Sequence, residues 1–529
     1  MIQEPIFMFC TSPLCKQEGN MDLAIYLDCD SAIPLYRQLT EKIRTAVLEG
    51  RLKPNQKLPS SRSLAKSLAV SRSTITLSYE QLESEGYLET KRGSGTYVSH
   101  QIPDEWLKSQ PIESVAETTN TNYNLSKFAQ NLASLDRLSV DEPDYEISFR
   151  YGNPAIEYFP IEQWRKLINR HCQYSTELLN YFADAAGYFP LRQEIANYLG
   201  HSRAVRCTPE QVIIVNGSQQ ALDLITRTLL NPGDWVAIEE PGYLGARCCF
   251  KGQMAQIQPI AVNSTGLNVE TLKKCNHNFK LVYVTPSHQF PTGVTMSVSQ
   301  RIALLQWARK TSTLIIEDDY DSEYRYGSQP IPALQGMDRA NSVIYVGTFS
   351  KIMFPSLRVG YMVVPPDLIP IIKKAKWLCD RFCPILEQYA LTDWIKLGYF
   401  EKHIRQMRQL YNLRRQALIT AFEKYFGDGE AEAIGNTALQ RTYSTPSSKH
   451  RVTISGENAG IHLMAKIEST LSDEIIIQKA AAAGIGLVSA REYYLQSQNK
   501  GEFIFGYGQL ERAEIDRGIL KLSQVLNNY

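Results

Sequence analysis

The chain has 529 residues, 43% of them hydrophobic and 21% charged, with a formal net charge of +1. That length exceeds one ordinary core and calls for several domains, while the composition is that of a globular protein. The near-zero charge excludes a whole-chain field for nucleic acid, so any such contact needs a local patch. Ten cysteines without regular spacing exclude a disulfide framework, and none of them stands in a zinc-site pattern. The start lacks a basic stretch before an apolar run, and no apolar run reaches membrane-spanning length. The expectation is a cytoplasmic protein with no membrane partner.

Residues 1–24 show no period and read as an N-terminal extension. Over 25–99 the pattern sharpens. Leu35, Leu39, Ile43 and Val47 recur every four residues and predict an amphipathic helix that stops near Gly50 and Pro54. Pro59-Ser60-Ser61 offers an N-cap to a second, short helix with Leu64, Ala65 and Leu68 inward. After a turn at Ala69-Val70, Ser71 can cap a third helix through Ile75, Tyr79 and Leu82 to Gly86. Two helices joined by a short turn form a helix-turn-helix pattern. Residues 87–98 then read as a β-hairpin with the basic, glycine-rich tip Lys91-Arg92-Gly93-Ser94-Gly95. The third helix opens on Ser71, Arg72 and Ser73, with Thr76 one turn on. Small hydroxyls permit close approach to a backbone, and an arginine can fork onto guanine or phosphate. A protein-docking module with a solvated basic face is the alternative reading of these residues.

The stretch LPSSRSLAKSLAVSRSTITLSYEQLESEGYLETKRGSGTYV resembles the winged-helix domain of GntR-type bacterial transcription regulators nearly end to end. The resemblance implies contact with a double-stranded DNA operator by Arg62, Ser71, Arg72 and Ser73, with Arg92, Gly93 and Ser94 in the wing. Thr76 departs from those members of the superfamily that carry a second base-reading arginine at that position.

Residues 100–145 are polar and poor in aliphatics and read as a linker, with Phe128 and Leu132 able to form one docking helix. From 146 apolar strand runs alternate with helical periods. Strands are predicted at 211–215, 235–238, 280–284, 313–317 and 343–346, with helices such as 221–230 and 298–310 between them. That alternation predicts a mostly parallel sheet covered on both faces, whose ligands sit beyond the carboxyl ends of the strands.

The chemistry-bearing residues fall at those ends. Asn216-Gly217-Ser218-Gln219 opens a helix with free N–H groups suited to a phosphate. Glu239-Glu240-Pro241-Gly242-Tyr243 ends in a ring that can stack on a flat ligand, and Thr285 to Gly293 is a rigid turn. Asp318-Asp319-Tyr320-Asp321 offers a carboxylate for a pyridinium nitrogen and a hydroxyl for a ring oxygen. Finally, Thr348, Ser350 and Lys351 precede Arg358, an amine able to form a Schiff base beside phosphate-holding groups. Each feature alone also reads as an ordinary turn, a packed tyrosine or a solvated acid cluster.

Taken in this order, the segments resemble the fold type I aminotransferases, which use pyridoxal 5′-phosphate (PLP). The resemblance implies Lys351 as the Schiff-base lysine, Asp318 as pyridinium partner and Tyr320 as partner of the ring hydroxyl. Ser218, Gln219, Ser350 and Arg358 would hold the phosphate, with Tyr243 over the ring. A winged helix, a linker and such a body, with NGSQQALDL, EEPGY, TPSHQFPTG, IIEDDYDSEYRY and GTFSK, are similar to the MocR-type subfamily of GntR regulators. The resemblance implies an α/β chain with a large aminotransferase-like domain over 146–400 and a C-terminal subdomain over 401–529. It further implies a homodimer, with PLP or a small amine or amino acid as effector, sensed through an aldimine on Lys351. The alternative is an active PLP-dependent aminotransferase with an accessory N-terminal domain.

Two departures bear on that choice. Phe290 replaces the asparagine that working enzymes place before Pro-Thr-Gly, and Ile504 stands where they carry a carboxylate-binding arginine. Loss of that bidentate clamp argues against physiological turnover, leaving residual transamination at most. Arg405, Arg408, Arg414 and Arg415 read as a solvated basic face, and Arg247 as a salt bridge to the body rather than an effector contact.

Overall fold

The computed structural model describes residues 25–28, 31–91, 93–101, 124–135, 144–173, 184–327, 331–427, 429–434, 438–444, 450–496 and 500–527, with backbone only at 429–434 and 438–440. The extension 1–24, Arg92 and much of 100–145 lie outside them. Two units divide between Tyr123 and Asn124, inside the predicted linker.

In the first unit the predicted helices form as α1 (Leu35–Leu48), α2 (Ser61–Leu68) and α3 (Arg72–Ser84). The Ser60 and Ser71 side chains accept from the backbone N–H of Ser63 and Thr74, which satisfies donors that a helix start leaves orphaned. Ala69, at φ 54°, closes α2 in the left-handed conformation and so turns the chain tightly into α3. Strands β1 (Leu88–Lys91) and β2 (Gly95–Val98) pair in register Lys91 to Gly95, making the wing. Leu39, Ile43, Ile75 and Leu82 are fully buried and hold this small core together.

The second unit opens on a helix, Lys127–Ala133, whose Phe128 and Leu132 lie against Gly252 and whose Asn131 bonds the Lys251 carbonyl. The predicted docking segment therefore does dock. Strand β3 (Ile147–Ser148) follows. The main sheet comprises β4 (Val212–Val215), β5 (Trp235–Glu240), β6 (Gln256–Asn263), β7 (Gly266–Leu267), β8 (Phe279–Val284), β9 (Leu314–Asp319), β10 (Val343–Thr348) and β11 (Gly360–Val363). Their order is β4-β11-β10-β9-β8-β5-β6-β7. Strands β6, β5, β8, β9 and β10 run parallel, while β11 is antiparallel to both β10 and β4. So β4, β10, β9, β8 and β5 all end at one edge, and β11 begins there.

Burial on both faces explains why these strands read as unbroken apolar runs. Leu281 and Tyr283 of β8 join one core with the helix Ser218–Leu229, while Val282 and Val284 join another with the helix Val298–Thr311. Strand β6 has half-exposed, less apolar residues, and β11 is short and follows the Lys351 loop, so neither stood out in the sequence.

The C-terminal part is an antiparallel sheet of β12 (Gly429–Ile434), β13 (Ala438–Tyr443), β14 (Arg451–Ser455), β15 (His462–Glu468), β17 (Val488–Ser489) and β18 (Glu502–Gly506). A separate pair joins β16 (Ile485–Gly486) to β3. Two helices, Tyr399–Phe426 and Arg512–Asn527, cover the sheet. Within the first of these the expected basic face is corrected. Arg414 is fully buried, donating to the Gly508 carbonyl and pairing with Glu157 and Glu511. Arg415 and Arg408 donate to the carbonyls of Glu457 and Glu323. Arg405 and Arg408 keep the exposed places expected of them. Helical spacing cannot reveal a carbonyl supplied from 94 residues away.

Leu82→Ala should lower the stability of the N-terminal unit by about 2–5 kcal/mol through the cavity it leaves. In denaturant titrations of the full chain, the transition of that unit should shift down. Leu222→Ala in the body should leave that transition in place.

Candidate cofactor site and nucleic-acid interface

At the strand-end edge lies a cavity of about 180 Å³ that Ser218, Gln219, Tyr243, Asp318, Tyr320, Ser350, Lys351 and Arg358 all line. Every residue predicted for the cofactor thus comes to one place, although 140 residues of chain separate Ser218 from Arg358. The common strand direction is the cause. Each loop leaving β4, β5, β8, β9 or β10 emerges at the same edge.

Lys351 follows β10 and donates from Nζ to the Gly152 carbonyl at 2.7 Å. Burial holds its amine below the ordinary lysine value, aided by Arg358 and opposed by Asp321 and Asp318. A larger neutral fraction makes it a better nucleophile. Asp318, on β9, accepts from the Tyr283 hydroxyl at 2.8 Å through Oδ2. Its Oδ1 has no partner among the described residues. Burial pushes its carboxyl up to about 7, with the neighbouring charges of Asp319 and Asp321 adding to the rise and the Tyr283 bond opposing it. A buried carboxylate with a bare oxygen facing a cavity is matched by a cationic N–H donor. The Ser350 hydroxyl is likewise buried without a partner.

The helix Ser218–Leu229 starts at Gly217 without a side-chain cap, leaving its first N–H groups and positive dipole end for an anion. Arg358, itself left-handed at φ 50°, lays Nη2 on the Asn216 carbonyl at 2.7 Å. Gly217 sits at φ 92°, and a Cβ there would meet Arg358 Nη2 at 2.8 Å. Glycine therefore lets guanidinium and helix terminus share one anion-sized position. Together with Asp318 Oδ1 and Lys351, this donor set fits a phosphorylated pyridine aldehyde.

Several lining residues carried no local sign in the sequence. Tyr151 and Gly152 precede the main sheet, while His462 opens β15 and Ile461 stands just before it. They arrive because β3 pairs with β16 and the Gly506 N–H donates to the Phe149 carbonyl at 2.8 Å. A Cβ at 506 would lie 2.2 Å from the Arg150 carbonyl, so only glycine permits that approach. Tyr283 could have been found as the one phenol in the apolar run of β8. Tyr320 bonds His288 Nδ1 at 3.1 Å, and the same nitrogen lies 3.0 Å from both Asp321 oxygens. Arg247 is buried and donates to the carbonyls of Glu492 and Tyr494, in place of the expected salt bridge.

In the first unit Arg62, Ser71, Arg72 and Ser73 are exposed around the start of α3, and Gly93 and Ser94 at the tip of the wing. Arg92 lies outside the described residues. Ser71 is engaged as the cap and bonds Ser73 Oγ at 2.7 Å, so it organises the helix start. Arg72 Nε reaches Ser61 Oγ at 3.3 Å. Thr76 donates to the Arg72 carbonyl at 3.0 Å, turning its hydroxyl inward to the helix backbone.

Residues 147–440 match the aminotransferase class I and II family, and residues 35–98 match the bacterial regulatory proteins of the gntR family. The probable rhizopine catabolism regulatory protein MocR of Rhizobium meliloti is 36% identical over 94% of this chain and 95% of its own. The multiple substrate aminotransferase of Thermococcus profundus superposes with TM-score 0.66 at 28% identity, over 76% of this chain and 97% of that one. The kynurenine aminotransferase of Pyrococcus horikoshii, solved in complex with PMP, gives 0.65 at 27% identity, over 79% and 98%. An aminotransferase body whose strand-end cavity is lined by Lys351 implies PLP as cofactor. With that body fused to a DNA-binding winged helix, the chain belongs to the MocR-type regulators of the GntR family.

Proposed function

We propose that this regulator couples operator binding to the state of PLP held at Lys351. In this reading Asp318 holds the pyridinium nitrogen, Tyr320 the ring oxygen, and Ser218, Gln219, Ser350 and Arg358 the phosphate. Tyr243 lies over the ring. PLP when bound supplies an aldehyde that condenses with primary amines. The protein's part is to present Lys351 as a partly neutral amine, to keep Asp318 ionised against a cation, and to exclude water from the cavity.

The single observation that carries the reading is the bare Asp318 Oδ1 in the Lys351 cavity of a chain that also bears a winged helix. Arg62, Arg72 and Ser73 on the helices, with Arg92, Gly93 and Ser94 in the wing, contact the operator, and Ser71 fixes the helix that presents them. The chain acts as a homodimer, whose paired heads read two half-sites. Loss of the clamp arginine at Ile504 favours a receptor over a turning-over enzyme, and PLP or an amine is the effector. A ligand that binds one state of the regulator better shifts its operator affinity by that difference.

The purified protein with PLP should absorb near ~420 nm, as protein-bound PLP does, and Lys351→Ala should abolish that band together with any PLP effect on operator affinity. A colourless protein that grips its operator identically with and without PLP would refute the coupling. Arg72→Ala should weaken operator binding by about 1–3 kcal/mol and flatten the preference over random DNA, read by fluorescence anisotropy. Binding should also fall steeply with salt, because the contact is a local basic patch.

The Asp318 carboxyl rises from 3.8 to about 7 on folding, so without PLP it adds no penalty below pH ~4 and a full one above pH ~7. Asp318→Asn should therefore gain stability over the parent as pH rises through that window, measured as Tm without PLP. It should at the same time weaken PLP binding at every pH in the window.

A further inference from the structure

We infer that the ligand space beside Lys351 selects primary amines with apolar substituents and rejects amines bearing an α-carboxylate. The inference rests on PLP occupying the cavity as proposed above. Among the described residues lining the cavity, the cationic side chains are Lys351 and Arg358, and both are assigned to the cofactor. Asp318 and Asp321 also line it. Asp318 is assigned to the cofactor as well, which leaves Asp321 as the acid facing an entering ammonium, while a carboxylate meets that acid with no cation among these residues left to pair with it.

The wall where a clamp would stand is apolar. Ile504 pairs with Met464 across β18 and β15, while His462, two residues along β15, faces the cavity. Side chains at 462, 464 and 504 therefore share one face of the sheet. At 504 that face carries a fully buried isoleucine, packed with Phe290, Met464, Ala490 and Tyr493. The Phe290 and Tyr151 rings line the cavity in front of this cluster, 4.9 Å apart between centroids. The polar groups nearby do not replace the missing cation. The Tyr151 and Tyr493 hydroxyls bond each other at 2.6 Å. Burial holds His462 well below its ordinary value and therefore uncharged. Arg247 is engaged with the carbonyls of Glu492 and Tyr494.

The test titrates the full-length, PLP-loaded protein with two matched pairs, phenethylamine against phenylalanine and isoamylamine against leucine. Visible absorbance and Tm are read together. Each amine should act at a concentration at least tenfold below that of its amino acid, and should alter operator affinity at the same concentration. An amino acid as effective as its amine, or a PLP band that no amine disturbs, would overturn the inference while leaving PLP binding intact. Absence of the band itself would instead refute the PLP reading. Ile504→Arg should narrow the gap within each pair, whereas Ile504→Met should keep it. If Ile504→Arg does not fold, the matched pairs on the parent protein decide the matter.

Discussion

Burial of the central strands on both faces is the constraint on which the site depends. With Leu281 and Tyr283 in one core and Val282 and Val284 in another, β8 has no free face for polar chemistry. The same holds for β9 and β10, whose Ile316 and Ile344 lie in one core and Ile315 and Val343 in the other. Polar groups are confined to strand ends, and parallel pairing gathers those ends at one edge. The exceptions inside strands are instructive. Glu317 and Asp319, on β9, are held by the N–H groups of Leu334 and Gln335 and by Arg203 and Tyr345. Asp318, between them, points into the cavity and keeps one oxygen bare.

Asp319 also leaves its Oδ1 without a partner among the described residues, but its Oδ2 is ion-paired with Arg203. A buried carboxylate is tolerated when donors surround it, and costs stability when one oxygen is left alone. Asp318 is the one of the three with no ion-pair partner among the described residues, beside a lysine that burial also pushes toward its neutral form. Both groups are thus strained toward neutrality in a site that a cationic ring and an aldehyde would relieve. Perturbed groups of this kind, converging on one cavity, mark function more sharply than any one of them does.

The winged helix and the body rest on different kinds of stabilisation. The head has a core of small helices with serine caps at two helix starts, and its exposed arginines remain outside that core. The body turns some of its arginines inward: Arg301 and Arg414 are fully buried and bonded to carbonyls. A chain of near-zero net charge can therefore carry a local basic reading surface without a basic body.

The sequence by itself determined the three helices and the hairpin of the head, because capping serines, the four-residue apolar period and a glycine-rich tip are local signals. It also determined five strands of the main sheet and the eight cavity-lining residues predicted at their ends, since unbroken apolar runs show where a buried strand stops. Tertiary structure alone decided what reaches that edge from afar. Tyr151 and Gly152 arrive through the pairing of β3 with β16, and His462 through β15 against β18. It alone turned Arg414 from an apparent surface charge into a buried one. It alone gave Ile504 its place in an apolar wall behind the cavity. The physical reason is that periodicity reports which face of an element is buried, whereas the partner that buries it is chosen by pairings across hundreds of residues.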